Sequence, residues 1–452
     1  MKKFLLLSLC FVAFSVSAQS KSDYEALLAR VESMESALAE AETKAAEAAV
    51  EAVQTKKSRL TLGGYGEVTM SRHFYSDSWK RYSAPTMYAD DESYGRFDIP
   101  HAVFFVGYNF GKGWTFGSEI EFEHGGLEVA VEIEEEETGE YETEVENGGE
   151  VILEQFWINK EWSKAFNLKM GHIIVPVGQT NKYHMPNEYF GVFRPEGEST
   201  IMPCAWHETG VSLWGRAGDW DYEVMFVAGL DSERFNSQNW IAGSAGTPYE
   251  FKIANSYAGA FRVDNRSVKD LTMGVSGYVG NSAANSLKAM YSDDVKGTVA
   301  IFAFDFDYRP ENFIIRGNFD YGTLSDSYEI TTGNNSSSIY SISARQPVAS
   351  AAIVYGGEAG YNIFSLFNKL SDKESKFYVF GRYEFYDSMY KVEKSVTDKG
   401  YCASTCISGG INYSPINEIT IKAEYMSRRF NSPYNNENTI MLGVTYTGLF
   451  KQ

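Results

Sequence analysis

From Arg59 to its last residue the chain keeps a two-residue hydrophobic period. In TFGSEIEFEH, Phe116, Ile120 and Phe122 fall on one face, and Glu119, Glu121 and Glu123 on the other. In AIFAFDFDY, Phe302, Phe304, Phe306 and Tyr308 oppose Asp305 and Asp307. FIIRGNFDY sets Phe313, Ile315, Phe319 and Tyr321 against Arg316 and Asp320, and KFYVFGRYEF sets Phe377, Val379, Tyr383 and Phe385 against Arg382 and Glu384. Successive residues of a strand point to opposite faces, so each run is a strand with one oily, aromatic face and one charged face.

Sixteen such runs are expected, beginning near Leu60, Phe97, Trp114, Val151, Phe166, His207, Trp220, Tyr257, Leu271, Val299, Phe313, Ser350, Phe377, Ala403, Glu418 and Asn438. The run around Gln155 and Trp157 alternates poorly, and its faces stay undecided. The connections narrow the fold. Gly111-Lys112-Gly113, Ala217-Gly218-Asp219, Arg309-Pro310-Glu311 and Ser414-Pro415-Ile416 read as tight turns. Long connections alternate with them, at about 71–96, 124–150, 176–206, 231–254, 281–297, 323–349, 388–402 and 429–437. A transmembrane β-barrel has this rhythm, with short turns at one end, long loops at the other and an even strand number. A β-sandwich would instead turn its oily face inward and its polar face to water. The expected fold is therefore all-β: a transmembrane antiparallel β-barrel over 59–452. NIFSLFNKLSDKES, near 362–375, is a long connection where a short one is due, which leaves 14 or 18 strands as alternatives to 16. The last run carries Ile440, Leu442, Val444, Tyr446 and Phe450 on one face, so it is expected to close the barrel against the first.

Two segments precede the barrel. MKKFLLLSLCFVAFSVSA has a Lys2-Lys3 start, an apolar core and small residues before Ala18, the pattern of an export signal over 1–18. Residues 21–57 contain no Gly or Pro and place Leu27, Leu28, Val31, Met34 and Leu38 at helical spacing, so 19–58 reads as a periplasmic helix and a short coiled coil. It suits a homotrimer, with a peptidoglycan contact as a further use. The formal charge of −20 argues against nucleic acid as a partner and against docking on an anionic membrane surface. Cys402 and Cys406 can pair only if the chain between them is a loop, since four extended residues separate Cα atoms by about 13 Å, beyond the roughly 7 Å a disulfide spans.

If the oily faces meet lipid, the charged faces line the bore. They carry Glu119, Glu121, Glu208, Asp305, Asp307 and Glu384 with Arg216, Arg316 and Arg382, too many charges for a dry core. Segment 176–206 mixes Pro, aromatics and charges, and is expected to fold into the bore and narrow it with Asn181, Lys182, His184, Glu188 and Arg194. Carboxylates outnumber bases along the wall, which points to a weak preference for cations. The opposite preference requires Lys182, Arg194, Arg216 and Arg316 to meet at the narrowest point. No zinc-protease or nucleophile-elbow motif is present, and neither a metal site nor a cofactor is expected.

IIVPVGQTNKYHMPNEYFGVFRPEGESTIMPCAWHETGVSLWG resembles the phosphate-selective porin O and P family in VPVG, in His184-x-Pro186, in Arg194-Pro195 and in Met202-Pro203…Trp206-x-Glu208-x-Gly210. The resemblance implies a sixteen-stranded trimeric outer-membrane porin whose third loop constricts the pore. The function expected is passive diffusion of small hydrophilic solutes or ions across the outer membrane. An outer-membrane anchor tethered through the N-terminal helix, or an outer-membrane hydrolase, are the alternatives.

Overall fold

The computed structural model describes residues 59–451 other than 125–128, 136–140, 148–150, 245–251, 287–290, 337–346, 368–374 and 394, together with six positions between 25 and 36. The expected export signal and all but those six positions of the expected helix lie outside the described residues.

The described chain is a closed antiparallel barrel of sixteen strands. They are β1 Leu60–His73, β2 Tyr94–Asp98 with His101–Gly111, β3 Trp114–Glu123, β4 Val151–Glu161, β5 Asn167–Ile174, β6 His207–Ala217, β7 Trp220–Ala228 and β8 Tyr257–Asn265. There follow β9 Leu271–Asn281, β10 Thr298–Tyr308, β11 Phe313–Leu324, β12 Ala351–Asn362, β13 Lys376–Lys391, β14 Ala403–Ile416, β15 Ile419–Arg429 and β16 Glu437–Lys451. Each pairs with its chain neighbours. β16 closes on β1, with Gly448 opposite Gly64 and Leu442 opposite Met70. Closure leaves no strand edge, which is what a spanning sheet requires in lipid.

β2 is broken at Ile99-Pro100, so its two pieces pair with successive halves of β1. Proline offers no N–H to the ladder, and the break falls beside it. The poor alternation near Gln155 has a similar local cause. Glu119 pairs with Gln155 but Ile120 pairs with Leu153, so Glu154 is an extra residue in a β-bulge. Leu153 and Phe156 both face outward while Glu154 is fully buried. The long connection after β12 is an insertion, not a missing strand, because β12 and β13 pair along their length. One expected turn is misplaced: Ser414-Pro415-Ile416 lies within β14 at a register shift, and the turn falls at 417–418.

The outward face is apolar around the circumference, including Val68 (55 % exposed), Val224, Phe302, Val379 and Ile421. Exposed aromatics cluster at the tight-turn ends, with Phe110, Trp114, Trp162, Phe166, Trp220, Phe313 and Phe450. A second set, with Phe97, Tyr257 and Tyr390, lies toward the long loops. Such girdles mark the two water interfaces of a membrane barrel.

The inward face departs from the uniformly polar wall expected of it. Toward the long loops it carries Met225, Val227, Ala258, Ala260, Tyr278, Val299, Ile301 and Val354, all buried. Loop residues Ile201, Met202, Trp206, Leu230, Phe235, Trp240 and Ile241 pack on them in one apolar cluster. Long loops that turn back onto these inward side chains shield apolar surface that water would otherwise meet. The cysteines Cys402 and Cys406 are free and buried, and an extended strand runs between them.

Candidate functional site

Residues 175–206, between β5 and β6, run inside the barrel. The neck of this segment is closed by Asn181. Its amide donates to the Val177 carbonyl at 2.8 Å and the Pro203 carbonyl at 3.0 Å, and accepts from the Trp206 N–H at 2.8 Å. With every amide atom engaged and only 2 % of the residue exposed, Asn181 holds the segment's shape. The short helix α1, Gln179–Lys182, is capped by a distant carboxylate: Glu198 accepts from the N–H groups of Gln179 (2.7 Å) and Thr180 (2.6 Å) and from the Thr180 hydroxyl. Burial outweighs these bonds and raises the Glu198 pKa above its ordinary value.

The rest of the segment is tied to the wall. Lys422 on β15 donates to the carbonyls of Pro186, Tyr189 (2.9 Å) and Gly191 (2.8 Å). Glu424 accepts from the Val192 N–H at 2.8 Å, and Glu384 from the Gly197 N–H at 3.2 Å. Arg428 pairs with Glu196 in helix α2, Glu196–Ile201. Arg262 on β8 reaches the Gly178 carbonyl at 3.0 Å, and Lys182 meets Asp264 at 2.8 Å. Gly191 passes so close to Arg382 that a Cβ there would sit 2.7 Å from its guanidinium nitrogens.

Inward charges on β8 to β15 form a paired ladder. Arg262 contacts Asp264 (3.0 Å) and Asp305 (2.7 Å); Arg316 contacts Asp307 (3.1 Å) and Glu358 (3.1 Å); Arg382 contacts Glu358 (2.9 Å). Asp307 also holds Arg309 at 2.7 Å. All of these groups but Arg309 are buried. The wall of β1 to β4 differs: Glu67, Glu119, Glu121, Glu123 and Glu154 stand there with His101, and Arg194 reaches them from the segment. His101 Nδ1 lies 2.7 Å from Glu67, and Arg194 lies 3.2 Å from His101 Nε2. Glu119 and His184 are only partly buried.

Of the residues the sequence singled out, Lys182, His184, Glu188 and Arg194 all lie on the inward segment. Burial, then Arg262, lowers the Lys182 pKa; burial, then Arg194, lowers that of His184 to about 4; burial raises that of Glu188. Lys182, Arg194, Arg216 and Arg316 do not form one cluster. Arg216 sits exposed at the tight-turn end of β6, paired with Asp221, and Arg316 belongs to the ladder. Glu208 is buried against Lys252 of the loop after β7. Three inward residues escaped the sequence reading. Glu154 was hidden by the bulge. Glu358 sits in GGEAG, where flanking glycines blur alternation. His101 follows the break at Pro100.

No family model matches the chain. A protein of Aquifex aeolicus, whose name assigns it no activity, is 25% identical over 394 residues, 86% of this chain and 80% of that one. Among solved structures, the outer membrane channel DcaP of Acinetobacter baumannii aligns with a TM-score of 0.51 at 11% identity, covering 87% of this chain and 99% of that one. The fold is porin-like. An anion-selective porin from Comamonas acidovorans (TM-score 0.49, 9% identity, 86% and 99% covered) and OmpF of Salmonella typhi (0.48, 9%, 86% and 97%) align over the same extent.

Proposed function

We propose that this chain is an outer-membrane porin that lets small hydrophilic solutes and ions diffuse passively through its barrel. The observation that carries this reading is segment 175–206, bonded across the bore to inward charges on β8, β13 and β15. A barrel that only anchored another domain would have no use for a polar segment held there by a dozen specific groups. The permeation path runs along β1 to β6, where Glu119, Lys169 and His184 are half-buried, and away from the buried ladder. His184 and Arg194 face it as the constriction, while Lys182, paired with Asp264, and Glu188, beside Arg316 and Arg309, narrow the bore from the ladder side, with Asn181 as the staple behind them. The apolar outer band and its girdles support placement in the outer membrane. The motifs of segment 176–206 support membership of the phosphate-selective porin O and P family, and the helical spacing of Leu27, Leu28, Val31, Met34 and Leu38 in the sequence supports a periplasmic coiled coil and a homotrimer. Phosphate selectivity does not accompany that likeness, because the arginines here are matched by carboxylates.

Swelling of liposomes containing the purified protein tests this reading. Small sugars should enter at rates that fall with solute size, and deletion of 183–198 should admit larger ones. Liposomes that swell no faster than protein-free ones would refute it.

A further inference from the structure

Ligand atoms of Glu119, Glu154 and His184 all lie within 4.8 Å of one another, on the acidic wall beside the inward segment. Each is oriented by a second partner that leaves one lone pair available. Glu119 accepts from the Gln155 amide through Oε2. Glu154 accepts from the Tyr65 hydroxyl through Oε2 at 3.1 Å, while its Oε1 is buried with no hydrogen-bond partner. His184 Nδ1 lies 3.3 Å from the Asn181 carbonyl, which can only accept, so the proton is on Nδ1 and Nε2 keeps its lone pair. A ligand atom presented by a side chain whose other end is fixed is the usual construction of a metal site.

The charge balance points the same way. Glu67, Glu119, Glu121, Glu123 and Glu154 are five carboxylates gathered on one wall; Arg194 acts on Glu121 and Glu154, Lys169 on Glu119 and Lys422 on Glu67. A second buried oxygen without a hydrogen-bond partner, Glu121 Oε1, lies in the adjoining set with His101 and Glu123. Leaving two such oxygens dry costs about 1–3 kcal/mol each or more, since the group is charged. We propose that Glu119, Glu154 and His184 bind a divalent first-row transition-metal ion on the lumen wall.

One imidazole with two carboxylates suits zinc, manganese, iron or cobalt, whereas calcium and magnesium favour all-oxygen shells. Bonds of roughly 2.1 Å place ligand atoms up to about 4 Å apart, so the three side chains close on an ion by small movements. The remaining positions on the ion face the half-buried side of the site, toward water. The inference concerns binding and stands whether or not the barrel conducts.

The test is titration of the untagged, folded, detergent-solubilised protein with Zn²⁺ by calorimetry, repeated with Ca²⁺. One Zn²⁺ per chain is expected, bound more tightly than Ca²⁺, with at least about a tenfold loss of affinity in both Glu154→Gln and His184→Gln. His184 lies outside the strands, so its variant decides the matter if Glu154→Gln fails to fold. Absence of stoichiometric Zn²⁺ binding by the folded wild-type chain, or wild-type affinity in His184→Gln, overturns the proposal.

Discussion

The Lys422 ammonium lies 2.9 Å from the carbonyl oxygen of Tyr189 and 4.3 Å from the centre of the same residue's ring. It thus joins β15 to the inward segment by a hydrogen bond and a cation–π contact at once. The carbonyls of Pro186 and Gly191 complete its three donor positions, and the residue is 1 % exposed. Lys422→Met keeps the length of the side chain and leaves three buried carbonyls unpaired. A loss of about 3–5 kcal/mol is expected, read as a lower unfolding temperature in detergent. An unchanged temperature would mean that the segment is held elsewhere.

Gly360 on β12 is needed for the same reason of close approach. A Cβ there would fall 2.2 Å from the ring of Phe190, which stacks on Phe380 at 5.2 Å. Gly360→Ala should cost about 1–3 kcal/mol by forcing Phe190 off its partner. Gly381→Ala, on the neighbouring strand, meets nothing nearer than 4.0 Å and should change stability by no more than about 0.5 kcal/mol. Thermal unfolding of the two variants side by side checks the contrast.

The strands were legible because lipid and the bore impose different demands on alternate residues, most openly in β3, β10, β11 and β13. β4 was not, because Glu154 adds a residue and reverses the phase within one strand. The misplaced turn at Pro415 has the same origin: proline marks an irregularity in the ladder, and here that is a bulge inside β14. The inward segment was legible from its mixture of Pro, aromatic and charged residues. The job of each residue was not. Asn181 as staple, Lys422 as anchor and the apolar cluster around Trp206 and Trp240 all depend on contacts between positions far apart in the chain, which no local pattern encodes.

The buried carboxyl of Glu198 gives a pH signature. Its pKa is raised in the folded protein, so between its ordinary value and the folded one the folded state holds a proton that the unfolded chain has released. That contribution is fully present below the ordinary glutamate pKa and is lost as pH rises through the folded value. Unfolding temperature should therefore fall as pH rises above about 4.5, and Glu198→Gln, which cannot titrate, should flatten the profile. A wild-type slope of the opposite sign, or one that Glu198→Gln leaves unchanged, would contradict this.

Charge pairing also sets the expected selectivity. The arginines of β8 to β15 are neutralised by Asp264, Asp305, Asp307 and Glu358, whereas the carboxylates of β1 to β4 are in excess. Across a KCl gradient the zero-current potential should have the cation-selective sign. It should shrink as salt rises, because the screening length falls from about 30 Å at 0.01 M to about 3 Å at 1 M. Glu119→Gln with Glu121→Gln should reduce it further. A potential of anion-selective sign that these substitutions do not alter would show that the wall of β1 to β4 does not set the permeating ion.

The most direct test of the whole account is current through the purified protein in a planar lipid bilayer. A porin constricted by its own inward segment should insert in discrete, reproducible conductance steps that are linear in voltage near zero. Deletion of 183–198 in a correctly assembled barrel should enlarge each step, because the groups it covers, Lys422, Glu384 and Arg382 among them, would then face water. A folded barrel that inserts without any conductance step, and gains none on that deletion, would contradict it.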